Sequence, residues 1–154
     1  MIKINTIINN KSWYQYFKNP VGFVDRRFIN LNKKFKKYRN KNFFLTLLLS
    51  GDSEIRKLNK KFRKKNKTTD VLSFPFYSKK ELKKKFKNDK DIYLGDIIVN
   101  ISKIKNKNNL VEFKINFNKL WVHGLVHLFW YDHKKDKDFY NMLQVEKKIL
   151  SCLD

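Results

Sequence analysis

The stretch WVHGLVHLFWYDH, Trp121–His133, holds all three histidines of a 154-residue chain, at His123, His127 and His133. Three histidines scattered at random would fall within eleven residues on the order of one time in a hundred, so coincidence is a poor account of them. The first two are four apart. On a helix that spacing puts both imidazoles on one face, about one turn apart, where they can converge on one metal ion. His133 follows six residues later and can reach back only if the helix ends and the chain turns at Tyr131-Asp132. The stretch therefore predicts a helix, then a turn, with a metal site built on both. Three neutral nitrogen ligands leave one tetrahedral position open, which is the arrangement of a catalytic rather than a structural zinc.

The same spacing occurs in the long zinc-protease motif, where glutamate follows the first histidine and acts as general base. Here Gly124 stands in that place and cannot accept a proton. A zinc-peptidase reading lacks its base and is the weakest of those considered.

On either side of this stretch, strands and helices alternate. Ile2–Ile8 reads as a first strand. Residues Ser12–Tyr38 read as helical in two pieces, with Asn19-Pro20 as N-cap and first helical position, and Val21, Val24, Phe28, Leu31 and Phe35 at helical spacing. Phe43–Leu49 is a short apolar run before Gly51 and reads as a buried strand. A helix capped by Asp52 or Ser53 carries Ile55, Leu58 and Phe62. Val71–Phe76 reads as a strand that Pro75 confines to a sheet edge or a strand end. Lys79–Lys90 reads as an exposed, charged excursion, and Tyr93–Val99 as a further strand. Helical patterning resumes after Asn100 and runs, with a break near Asn108-Asn109 or Asn116, into Leu120–Phe129. A last helix starts after Asp136 or Asp138 and carries Phe139, Leu143, Ile149 and Leu150. The expectation is one α/β (α+β) domain over residues 1–154, with about four strands in a mixed sheet and five or six helices.

Composition narrows the partners. The formal net charge is +22, from 36 Lys and Arg against 14 Asp and Glu. Such a field attracts polyanions, and nucleic acid is the abundant one inside a cell. An AT-rich genome would also favour lysine, but it explains lysine over arginine better than so large an excess over acids. Cys152 is the single cysteine, so no internal disulfide forms, which fits a reducing compartment. The N-terminal segment lacks the continuous apolar run of an export signal, and FFLTLLL at Phe43–Leu49 is far short of the roughly 20 residues a membrane span needs. The expectation is a cytoplasmic protein with no membrane and no disulfide partner.

Three blocks carry a family resemblance. HGLVHLFWYDH resembles the His-Gly-x-x-His-Leu-x-Gly-Tyr-Asp-His signature of the YbeY family. LNKKFRKKNKTTDVLSFPF (Leu58–Phe76) is similar to that family's Leu-Asn-x-x-Tyr-Arg-Gly-x-x-x-x-Thr-Asp-Val-Leu-Ser-Phe-Pro block, and LGDIIVN (Leu94–Asn100) to its Leu-Gly-Asp-Ile strand. The blocks keep the family's order and span Leu58–His133. The resemblance implies a bacterial, zinc-dependent, single-strand-specific endoribonuclease that acts in rRNA processing (16S rRNA 3′ end maturation) and in ribosome quality control. It implies one zinc ion per chain, with ribosomal RNA and the small ribosomal subunit as partners. A rival class is a non-catalytic basic assembly factor whose metal braces the fold. Two family glycines are replaced here, one by Trp130 and one by Lys64.

The resemblance places zinc on His123, His127 and His133, and Arg63 matches an arginine implicated in activity beside the metal cleft. A guanidinium can grip two phosphate oxygens at once, although an arginine at a basic helix end is also an ordinary surface residue. The catalytic expectation rests on Arg63 and His123. RNA-backbone binding is expected from Arg63, Lys64 and Lys65, with Lys60 and Lys61 nearby. Asp96 and Asp132 would brace ligand histidines from behind, or Asp132 would shape the turn. Asp70 and Ser73 face the cleft, or Asp70 caps a turn. Phe74, Phe76, Trp121 and Tyr131 stack on bases or belong to the core.

Overall fold

A computed structural model describes residues 1–36, 40–131 and 135–154. Four strands form one mixed sheet: β1 (Ile2–Ile8), β2 (Asn42–Ser50), β3 (Val71–Pro75) and β4 (Asp91–Asn100), in the order β1-β2-β4-β3. β1, β2 and β4 run parallel, and β3 is antiparallel to β4 at the edge. Five α-helices lie among the described residues: α1 (Pro20–Lys34), α2 (Asp52–Arg63), α3 (Lys79–Asn88), α4 (Leu110–Leu128) and α5 (Asp136–Leu150). Short 3-10 turns follow β1 and β4.

β2 is central, and its alternation fixes which face is core. Phe43, Leu45, Leu47 and Leu49 are buried on one side. They join α1 and α4 in the main core, where Trp13, Phe113, Phe117 and Trp121 are fully enclosed. The opposite face is covered by α2, whose Ile55 packs with Leu72 and Ile98. A parallel pair needs a crossover, and α1 supplies the one between β1 and β2. The Asn19 side chain caps α1 by accepting from the Gly22 amide at 2.8 Å, with Pro20 at the first position. Val21 points outward, and Phe23 joins Val24, Phe28 and Leu31 on the buried face.

Several boundaries differ from the sequence expectation. Lys79–Lys90 is mostly the helix α3, nucleated by a capping box between Ser78 and Glu81. Its Leu82 is buried, and its Phe86 lies edge-on to Phe43. Two apolar residues one turn apart are enough to seat a helix that reads as pure charge. Residues after Asn100 make only a 3-10 turn. α4 starts at the Asn109 cap, whose side chain accepts from the Val111 and Glu112 amides, and it runs unbroken through Asn116. In α5, Phe139 is exposed while Met142 and Ile149 are buried; Cys152 lies just beyond the helix and is buried. The Tyr38 end of the first helical segment lies outside the described residues.

β3 is the edge strand, ending at Pro75 as proline's missing amide requires. Opposite it, β4 carries a bulge that sets Leu45 against Gly95. Gly95 has φ 134°, and a side chain there would lie 2.1 Å from the Phe74 carbonyl oxygen. Only glycine fits this crossing of β3 and β4. No helix among the described residues is long and apolar enough to cross a membrane.

Candidate active site

The cleft lies where α4, the end of α2 and the edge strand β3 meet. Arg63, Val71, Ser73, Pro75, His123, His127, Trp130 and Tyr131 line about 360 Å³ of space. This brings together residues sixty positions apart in sequence, from the first and last of the three blocks.

α4 presents His123 and His127 on one face, with their Nε2 atoms 3.0 Å apart. Each ring is held from behind through Nδ1. His127 Nδ1 is 3.1 Å from the Tyr131 carbonyl oxygen, which can only accept, so this nitrogen carries the proton. His123 Nδ1 is 2.7 Å from Glu146 Oε1 on α5 and donates to that carboxylate. With Nδ1 as the donor in each ring, the two Nε2 atoms converge on the same point. A proton on either Nε2, or a cation between them, would join the two atoms at that separation. Two nitrogens bound to one zinc at its usual bond length lie about 3.4 Å apart, close to what is observed. The donor set thus fits a borderline-soft cation. His133 and Asp132 lie outside the described residues, and among the described residues no cluster of three His, Cys, Asp or Glu forms.

Gly124 has a packing role. A Cβ there would come 2.7 Å from Ile97 Cγ2 and 3.0 Å from Ser73 Oγ. The position faces the sheet, and its lack of a side chain lets α4 pack closely onto β3 and β4. A catalytic glutamate could not be accommodated there. Among the described residues, those lining the cleft include an arginine and two histidines but no carboxylate.

Ser73 joins the two halves. Its hydroxyl donates to the Gly124 carbonyl of α4 at 3.3 Å, and its own carbonyl accepts from Arg63 Nη2 at 3.1 Å. Arg63 is the last residue of α2, and its guanidinium also lies over the Phe74 ring. It lines the same cleft as the histidines, with one N–H on the Ser73 carbonyl. Lys64 and Lys65 follow it, exposed, in a loop anchored by the buried Asn59, whose amide donates to the Lys67 carbonyl at 2.8 Å.

Both replaced glycines have left-handed backbone, Lys64 at φ 59° and Trp130 at φ 62°. A residue with a side chain loses about 1–2 kcal/mol there relative to glycine. At Lys64 the helix-ending bonds to the Asn59 carbonyl offset part of this cost. At Trp130 the backbone amide donates to the His127 carbonyl, and the indole Nε1 donates to the Tyr77 carbonyl at 2.8 Å.

Other expected residues fall elsewhere. Asp96 is on the face opposite α4, where it accepts from the Tyr93 hydroxyl at 2.6 Å. Burial, and then that bond, push the Tyr93 phenol above its ordinary range. The carboxylate that meets His123 is Glu146, which the sequence reading missed. One signal was available: α5 follows α4 after a short connection, so it folds back along α4 and a lone glutamate on it can face a histidine. Asp70 turns back on itself and accepts from the Val71 amide, as a turn cap does. Trp121 is fully buried, with its Nε1 on Asn118, and belongs to the core. Phe74 packs against Phe62 on the α2 face; Phe76 is exposed beyond β3; Tyr131 lines the cleft.

The chain is similar to known proteins along its length. Residues 7–154 match the family described as Endoribonuclease YbeY. A relative of that name from Pelagibacter ubique is 41% identical over 151 residues, covering 97% of this chain and 94% of the relative. Another from Ehrlichia canis is 32% identical over 155 residues, covering 99% and 93%. The solution structure of TM1509 from Thermotoga maritima superposes with a TM-score of 0.57 at 22% identity, covering 99% of this chain and 89% of that one, a likeness of fold.

Proposed function

The chain belongs to the endoribonuclease YbeY family, and from that premise we propose that it cuts single-stranded RNA at a zinc-assisted site between Arg63 and the histidines of α4. The observation that carries the reading is the pair of Nε2 atoms 3.0 Å apart, each ring held through Nδ1 and both opening on a cleft shared with an arginine. His123, His127 and, from outside the described residues, His133 are the proposed ligands. When bound, zinc supplies Lewis acidity toward water and toward a phosphate oxygen.

The chain's own residues do the rest. Glu146 and the Tyr131 carbonyl hold protons on the two Nδ1 atoms, which keeps both Nε2 atoms available. Arg63, with one N–H on the Ser73 carbonyl, offers its remaining N–H groups to the non-bridging phosphate oxygens and stabilises the charge that grows on them. Lys64 and Lys65, with Lys60 and Lys61, hold the backbone on either side without reading sequence. We assign the protein to processing of ribosomal RNA at the small subunit and to quality control of ribosomes, in the cytoplasm. The +22 charge supports a polyanionic partner.

The test is cleavage of a single-stranded RNA and of its duplex by wild type, Arg63→Ala and His127→Ala, with and without chelator. The single strand should be cut, Arg63→Ala should be slower by about 100-fold, and His127→Ala or chelation should abolish cutting. Equal cleavage by all three proteins, or indifference to chelation, would overturn the proposal.

A further inference from the structure

Of the three tryptophans, Trp13 and Trp121 are fully buried, whereas Trp130 is 37% exposed. Trp130 forms part of the wall of the histidine cleft and holds a left-handed backbone that glycine would adopt without strain. The turn itself does not need an indole: its backbone bond from Trp130 N–H to the His127 carbonyl uses no side-chain atom. A strained, half-exposed aromatic retained beside reactive groups points to a use. The Nε1 bond to Tyr77 ties down the ring's edge, so the ring is held rigid in the wall.

We propose that Trp130 is a stacking platform for one nucleobase of the RNA strand, next to the phosphate held at Arg63 and the histidines. This rests on the reading of the cleft as a phosphodiester site. The cleft, at about 360 Å³, is within the range of sites that hold one small ligand. An aromatic face takes any base, so the platform adds affinity without sequence preference. A base inside a duplex already has neighbours on both faces and cannot also lie on the indole. The platform therefore favours single strands, and it would add a contact that glycine at this position cannot make.

Because the other two tryptophans are enclosed, fluorescence quenching reports on Trp130. The full-length protein is titrated with a short 2′-O-methyl single strand, with binding followed in parallel by anisotropy of an end label. Quenching should saturate with the anisotropy, and a strand of the same length that is abasic throughout should bind more weakly and without quenching. Trp130→Gly should bind about 10-fold more weakly with the same salt dependence and no loss of melting temperature. Trp130→Phe, which keeps a ring but not the Tyr77 bond, should recover most of the affinity. Saturating binding without quenching, or a Trp130→Gly protein that binds and cuts as wild type does, would overturn the platform and leave the endoribonuclease reading standing. A lower melting temperature with unchanged affinity would make Trp130 a structural strut and also overturn it. Should wild type neither bind nor cut RNA, the reading of the cleft fails and the platform with it.

Discussion

The imidazole of His123 on α4 donates through Nδ1 to the carboxylate of Glu146 on α5, at 2.7 Å. The bond spans 23 residues of sequence and makes α5, otherwise a packing helix, part of the site. It fixes the tautomer that leaves Nε2 facing His127. Glu146→Ala should weaken zinc affinity by about 10- to 100-fold. Glu146→Gln, whose amide oxygen can still accept from Nδ1, should fall between Ala and wild type. Competition against a chromogenic chelator measures both, and equal affinity in all three proteins would remove Glu146 from the account.

Gly124 sets the distance between the histidine helix and the sheet. Gly124→Ala should cost about 1–3 kcal/mol, because its methyl meets Ile97 and Ser73 at once. The shift of α4 should also loosen Ser73, the link to Arg63. Urea denaturation reads the first effect and RNA cleavage the second; both should fall together.

Lys64 carries strain and charge in one residue. Lys64→Gly relieves the left-handed backbone and should raise stability by about 1 kcal/mol. If Lys64 contacts phosphate, the same substitution should lower the salt dependence of RNA binding by about one ion. Denaturation midpoints and binding at several salt concentrations separate the two. A less stable protein would mean that the strain argument fails at this site.

Asp52 ties α2 to β4 and to the loop that follows Arg63. Its Oδ1 accepts from Asn100 Nδ2 at 2.7 Å and from the Thr68 hydroxyl at 2.8 Å. The Asn100 bond, followed by that from Thr68, holds this carboxyl below its ordinary range. A carboxylate depressed in the folded state contributes stability that is full above the unfolded value of about 4 and is lost as pH falls through the folded one. Asp52→Asn keeps an acceptor but cannot titrate. Wild type should therefore be the more stable protein at neutral pH, and the gap should close below about pH 4. A gap that stays constant down to pH 2 in thermal melts would contradict this.

Sequence alone carried far at some places and failed at others for physical reasons. The four strands, the edge position forced by Pro75 and the Asn19-Pro20 start of α1 are local signals, and the structure bears them out. The pairing of His123 with His127 follows from helical spacing alone. α3 was hidden because only Leu82 and Phe86 interrupt its charge, although Ser78 and Glu81 spelled out its cap. Asp96 was expected behind a histidine because it lies in the right block. Strand alternation sends it to the other sheet face, one residue from Ile97, which does meet α4. Glu146 could not be read from any local pattern, since its role depends on how α5 packs back on α4. Of the two readings open for Trp121, stacking or core, helical phase settles on core, whereas the turn after α4 leaves Trp130 partly exposed.

The account stands on zinc held by imidazole in this cleft. Metal analysis of the purified protein, with zinc-edge X-ray absorption, tests it most directly. About one zinc ion per chain is predicted, in a shell of nitrogen and oxygen with imidazole scattering and no sulfur, lost in His127→Ala while the fold persists by circular dichroism. A wild-type protein that takes up no stoichiometric zinc, or a His127→Ala protein that keeps it in the same shell, would contradict the account.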